Sequence, residues 1–174
     1  MADPGPSSSG AGKLDVEIVH HAEHWDHIAV SDEALGRAAL AAFAAASPGR
    51  RKPCQVTIVL TDDSEMRTLN RTWRGKDAST NVLSFPAGEP FGPVPGESLP
   101  LGDVVLAAET VLAEARDKDI AAADHAAHLV VHGMLHLLGF DHERDEEAER
   151  MESVETKVLA GLGIADPYAV EVTP

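Results

Sequence analysis

His128-Leu129-Val130-Val131-His132-Gly133-Met134-Leu135-His136-Leu137-Leu138-Gly139-Phe140-Asp141-His142 is the stretch from which the rest of the chain is read. It continues a run of helix-favouring residues that begins near Asp124 and is apolar nearly all round. A helix of that composition belongs at the centre of a core, not on its surface. His125, His128, His132 and His136 form the single polar stripe on it. His132 and His136 are four residues apart, so their side chains stand one above the other on one face. Two neutral imidazoles so placed grip one divalent ion at about 2.0–2.1 Å each. Gly139 follows where the helix must end, and glycine takes the left-handed conformation that reverses a chain there. That reversal brings His142 back toward the same point. Three protein nitrogens with a fourth position left for water is the pattern of a catalytic zinc site, whereas a structural site is closed.

A histidine pair on a helix is by itself more often packed or solvated than metal-bound. The pair, a turn glycine and a third histidine at this spacing are far more specific. The same spacing closes the metzincin protease signature, in which a glutamate follows the first histidine as general base. Here that position is Gly133, which cannot take a proton, so a peptidase reading loses its central residue. His128, one turn before the first ligand, is read as packing or as support for a ligand.

Working outward, Leu14, Val16 and Ile18 alternate with Asp15 and Glu17, the period of a half-buried strand. His20, His21, His24 and His27 lie in a polar stretch with no organising turn. Asp32 to Ala46 is an alanine-rich helix closed by Ser47-Pro48-Gly49. Val56, Ile58 and Leu60 make a second strand. Asp62 and Glu65 have the spacing of a capping box opening a second helix. On it Met66, Leu69 and Trp73 form an apolar side expected to be buried, and Arg67, Arg71 and Arg74 form a row elsewhere. Strands are expected over Asn81 to Phe85 and Leu101 to Ala107, separated by a Pro/Gly-rich loop from Gly88 to Pro100. Helices follow over Glu109 to Lys118, Asp124 to Leu138 and Glu143 to Gly161. In the last, Met151, Val154, Val158, Leu159 and Leu162 face inward. The expected fold is α+β: one domain over residues 13–174, with a small mixed sheet packed by helices around the metal-binding helix. Residues 1–12, rich in Pro, Gly, Ser and Ala, are expected to be a disordered tail without the marks of a signal peptide.

Composition narrows the partners. One cysteine, Cys54, allows no internal disulfide and fits a reducing compartment, hence the cytoplasm. No apolar run reaches membrane-spanning length. The net charge of −15 argues against non-specific nucleic-acid binding by the whole surface. Yet Arg50 to Lys76 holds seven of the fourteen Lys and Arg residues against three acids, so that segment is +4 and the remainder −19. A local basic patch can hold phosphates at one place while the body repels them elsewhere. Arg67, Arg71 and Lys76 are the candidate contacts.

His132-Gly133-Met134-Leu135-His136-Leu137-Leu138-Gly139-Phe140-Asp141-His142 resembles the signature of the YbeY family. Arg74-Gly75-Lys76-Asp77-Ala78-Ser79-Thr80-Asn81-Val82-Leu83-Ser84-Phe85-Pro86 is similar to that family's second hallmark, and Leu101-Gly102-Asp103-Val104 and Asp166-Pro167-Tyr168 fit it too. The resemblance spans Val56 to Tyr168. It implies a four-stranded sheet around a central helix carrying the first two histidines. It also implies a metal-dependent, single-strand-specific endoribonuclease that matures the 3′ end of small-subunit ribosomal RNA and takes part in ribosome quality control. The partners implied are single-stranded RNA and the small ribosomal subunit, with neither membrane nor DNA. One zinc ion per chain is expected on His132, His136 and His142, although nickel and cobalt suit three imidazoles as well. The family pattern places a functional arginine at Arg74, as a clamp on the phosphate. Asp141 is read as orienting a ligand or capping the turn, and Asp77 and Asn81 as holding their loop. A metalloprotease-like hydrolase and a non-catalytic ribosome assembly factor with structural zinc are the competing readings.

Overall fold

Alternation of apolar residues along the chain builds the sheet. The computed structural model describes residues 12–50, 52–88 and 98–169. Strands run over Leu14–His20 (β1), Cys54–Thr61 (β2), Val82–Pro86 (β3) and Leu99–Ala107 (β4), in the order β1-β2-β4-β3. β1 and β4 pair parallel to β2, and β3 pairs antiparallel to β4 at the edge. Helices run over Asp32–Ala46 (α1), Asp63–Arg74 (α2), Ala108–Asp117 (α3), Ala122–Leu137 (α4) and Asp145–Gly161 (α5). This is the expected α+β arrangement with a four-stranded mixed sheet. The proposed tail falls, apart from Gly12, outside the described residues, as does most of the Gly88–Pro100 loop. No helix among the described residues is long and apolar enough to cross a membrane.

The two faces of the sheet carry different residues. Val56, Ile58, Leu60, Val104 and Leu106 join the main core, with α1, α4 and α5 on the same side. Ala38, Ala39 and Ala42 of α1 are completely buried, and their small size lets α1 approach α4 closely. α4 buries nine residues from His125 to Leu135, which makes it the central helix its composition predicts. The opposite sheet face is covered by α2 over a smaller cluster of Met66, Val105 and Ala107, flanked by Val59, Leu69, Leu83 and Phe85.

Two glycines set how these layers meet. A Cβ on Gly133 would lie 2.7 Å from Val104 Cγ1 and 3.1 Å from Ser84 Oγ, so α4 rests on β3 and β4 at backbone distance there. Ser84 Oγ donates to the Gly133 carbonyl at 3.1 Å across the same contact. In β4 the register skips Leu101, and Gly102 at φ 133° occupies the irregularity. A Cβ on Gly102 would clash with the Phe85 carbonyl oxygen.

Some local expectations change. Asp62 caps α2, accepting from Glu65 N–H at 2.9 Å, but the Glu65 carboxylate does not return the bond. It accepts instead from Thr61 Oγ1 at 2.7 Å and from His21 Nδ1 at 3.0 Å, so only half of the capping box forms. Met66 is fully buried and Leu69 partly so, whereas Trp73, expected on the buried side, is 68% exposed. By the last turn α2 has reached the edge of the sheet, and no layer lies over it.

Candidate metal centre

The turn that ends α4 builds the centre. Gly139, at φ 96°, donates its N–H to the His136 carbonyl at 3.1 Å, and Phe140 N–H reaches Leu135 O at 2.9 Å. These are the two bonds of a Schellman ending, which only a residue tolerant of positive φ completes cheaply. The chain then returns along the helix end. The His142 ring lies 5.0 Å from the His136 ring and 5.8 Å from that of His132. One ligating atom from each of His132, His136 and His142 falls within 4.8 Å of the others, so the cluster could hold a metal ion. Asp141 fixes the final step, its Oδ1 accepting His142 N–H at 2.7 Å.

Hydrogen bonds on the outer ring nitrogens determine what the inner ones present. His136 Nδ1 donates to the Phe140 carbonyl at 3.1 Å, and His132 Nδ1 to Glu155 Oε1 at 2.6 Å. Both rings therefore turn Nε2 inward, and these two nitrogens face each other at 3.1 Å. Two nitrogens sharing a tetrahedral ion at zinc distances lie roughly 3.3 Å apart. The donor set and its spacing thus fit a divalent ion. Burial lowers the His136 pKa, and His132 and His142 push it the same way against the Phe140 carbonyl and Asp141. A lowered pKa keeps the ring neutral, the form that binds metal.

Glu155 was not foreseen as a functional residue. It is completely buried on α5 and accepts from His132, from His128 Nε2 at 3.0 Å and from the Tyr168 hydroxyl at 2.6 Å. Burial pushes its carboxyl pKa up, but the bonds from His128, His132 and Tyr168 outweigh that and hold it at about 2. The carboxylate is therefore ionised beside a candidate cation site. Its signal was present: a glutamate four residues after Met151 and three before Val158, on the inward face of α5. His128 is engaged by this carboxylate and is not one of the three clustered histidines. His125 packs in the core, its Nε2 3.3 Å from Glu114 Oε1.

Arg74 meets the histidines in one cleft. About 670 Å³ of open space is bounded by Arg74, Asn81, Ser84, His132, His136 and His142, among others. Gly75, at φ 71°, ends α2 directly after Arg74. Arg74 Nη2 donates to the Ser84 carbonyl at 2.7 Å, and the guanidinium lies 5.6 Å from the centre of the Phe85 ring. The rest of the arginine row stands elsewhere. Arg67 makes a two-pronged bond to Asp77 at 2.8 and 2.9 Å, Arg71 lies 3.8 Å from the same carboxylate, and both line a separate hollow with Ser64 and Ser79. Lys76 is exposed on the turn and does not line the metal cleft. Asp77 therefore pairs with Arg67 and Arg71, not with Arg74. Asn81 holds its own strand entry, accepting Val82 N–H at 2.7 Å and donating to Glu114 at 3.3 Å.

Comparison with known proteins gives consistent results. Residues 20–163 match the family model described as endoribonuclease YbeY. The chain is 50% identical over 158 residues to the endoribonuclease YbeY of Azorhizobium caulinodans, covering 90% of this chain and 98% of that one. It is 54% identical over 140 residues to the endoribonuclease YbeY of Rhodospirillum rubrum, covering 76% and 70%. The solution structure of TM1509 from Thermotoga maritima superposes with a TM-score of 0.54 at 21% identity, covering 90% of this chain and all of that one, and supports the fold.

Proposed function

The chain belongs to the YbeY family of endoribonucleases, and from that membership we propose that it is a zinc-dependent, single-strand-specific endoribonuclease. It acts in the cytoplasm on ribosomal RNA at the small subunit, in 3′-end maturation and quality control. One observation carries the reading: the three clustered histidines and Arg74 face a single cleft. A zinc ion held by His132, His136 and His142 would supply a Lewis acid and a bound water of pKa about 7. The protein's own groups do the remainder. Glu155 and the Phe140 carbonyl fix the Nδ1–H tautomers of His132 and His136, so both Nε2 lone pairs face the ion. Arg74, anchored through one N–H to Ser84, has further N–H groups to hold phosphoryl oxygens as charge accumulates on them. Arg67 and Arg71 of α2 and Lys76 on the turn after it supply additional phosphate contacts.

Two competing readings lose ground for physical reasons. A protease of the metzincin type needs a glutamate where Gly133 stands, and the space beyond Gly133 is filled by Val104. A closed structural zinc site needs a fourth protein ligand; His128 is already committed to Glu155, and Asp141, the other candidate, has one carboxylate oxygen on the His142 N–H. The deciding experiment is cleavage of single-stranded RNA that stops with a chelator and returns with zinc, together with metal content. His142→Ala should lose most of the metal and the cleavage while remaining folded. Full metal occupancy in that variant would remove His142 from the site.

A further inference from the structure

Trp73 is the most exposed large apolar side chain among the described residues, and it adjoins Arg74 in sequence and in space. Its ring meets Phe85 edge-on at 6.4 Å. Together they border a hollow of about 510 Å³ on the sheet face opposite the metal cleft, with Asp103, Val59 and Leu69 among its other walls. Arg74 and Pro86 line both spaces. The reason is topological: β3 is an edge strand, with the metal cleft on one face and the hollow on the other. A strand of RNA held at Arg74 therefore has a direct path around that edge.

We infer that this hollow is a nucleobase subsite, in which an unpaired base next to the phosphate held by Arg74 stacks on Trp73 and offers an amino group to the Asp103 carboxylate. The inference rests on the endoribonuclease reading. A flat aromatic surface beside a cation suits single-stranded RNA, because every base has a π-face and stacking is available only to unpaired bases. Asp103 stands opposite Phe85 in the β3–β4 register and forms part of the wall of the hollow. No hydrogen-bond donor among the described residues engages its carboxylate, and burial raises its pKa. Asp103 itself is exposed in the hollow, and a solvent-facing carboxylate without a protein donor is suited to the exocyclic amine of a base. The site would also explain single-strand preference without any sequence-reading groove.

The test uses the full chain loaded with zinc. Trp25 is buried and bonded through its indole N–H to the Thr61 carbonyl, so a change in tryptophan fluorescence reports mainly on Trp73. Titration with a mixed-sequence single-stranded oligoribonucleotide should quench that fluorescence, and a double-stranded oligoribonucleotide should quench it much less. Trp73→Ala should raise KM for single-stranded RNA about tenfold, with kcat and zinc content near parental, and Trp73→Phe should recover most of the loss. Asp103→Asn should change the preferred base beside the cut. Parental KM in Trp73→Ala with unquenched fluorescence in the parent would overturn the subsite while leaving the endoribonuclease reading intact. Quenching by a lysine-rich peptide but not by RNA would overturn it in favour of a basic protein partner. A parent that fails to cleave RNA, yet is quenched by it through Trp73, would keep the subsite and remove the catalytic reading.

Discussion

A carboxylate with no solvent exposure and three donors around it is costly to leave half-satisfied, so Glu155 is the residue whose replacement says most about the centre. Glu155→Gln keeps the volume but turns an amide N–H toward one of His128, His132 or Tyr168. Metal affinity should fall about 10- to 100-fold, the usual cost of losing such a supporting bond, as read by competition with a chelator. Unchanged affinity would mean that the His132 ring is fixed by packing alone. The pH dependence has a definite sign. The carboxyl of Glu155 lies at about 2 in the fold against 4.5 ordinarily. Its stabilisation is fully present above the ordinary value and is lost as pH falls from there toward the folded value. Metal-free parent should lose stability through that acid window, and Glu155→Gln should lose less there. Arg74 carries a separate expectation. Arg74→Ala should retain zinc yet lose about 10²–10³ in RNA cleavage, and Arg74→Lys should recover only part, since an ammonium lacks the planar fork. Cleavage at the parental rate would end the phosphate-clamp role. The clustering of the three histidines was legible in the sequence because spacing and turn chemistry are local, whereas Arg74 was singled out by the family resemblance. For Glu155 the sequence offered only an acid in the inward phase of α5; its role comes from a contact between α4 and α5 across 23 residues of chain.

At the scale of elements, α4 sits on the sheet through Gly133. In an exposed helix, Gly→Ala stabilises by up to about 1 kcal/mol. Here the new methyl would fall 2.7 Å from Val104 Cγ1, and Val104 is fully buried with no room to yield. Gly133→Ala should therefore destabilise, by the ~1–3 kcal/mol typical of overpacking, visible in the urea midpoint. A raised midpoint would show that α4 can lift from β4 without cost. Periodicity located the four strands and five α-helices of the described residues to within a few positions, since apolar alternation and caps are encoded nearby, but not the single 3-10 turn of helix over Glu23–His27, read as a polar stretch. It failed for Trp73, which lies in phase with Met66 and Leu69. Phase places a side chain on a helix face, but only the extent of the sheet determines whether anything covers that face. The last turn of α2 stands over the edge strand β3, and Trp73 on that turn is left open beside Arg74 and Phe85.

Over the whole molecule, the uneven distribution of charge predicts that RNA is met at one place. The body carries −19 outside the +4 segment from Arg50 to Lys76, so contacts beyond that segment repel phosphates. Within it, Arg67 and Arg71 share Asp77, which holds the three side chains at a combined +1 and engages the Arg67 fork. Asp77 would thus compete with a phosphate for the same donors. Binding of single-stranded RNA should weaken with salt, each phosphate neutralised adding about 0.7 to the slope of log affinity against log salt. Replacing Arg67 and Arg71 together by Ala should make that slope shallower. Asp77→Asn should do the opposite, freeing both arginines, tightening binding at low salt and steepening the slope by about 0.7. An exposed pair such as Arg67–Asp77 contributes under about 1 kcal/mol to stability, so neither change should unfold the protein. The two variants moving the slope in opposite directions would place the RNA across α2 and Arg74. If neither moves it, the strand leaves the metal cleft by another route, and Arg67 and Arg71 serve only to brace the turn at Gly75.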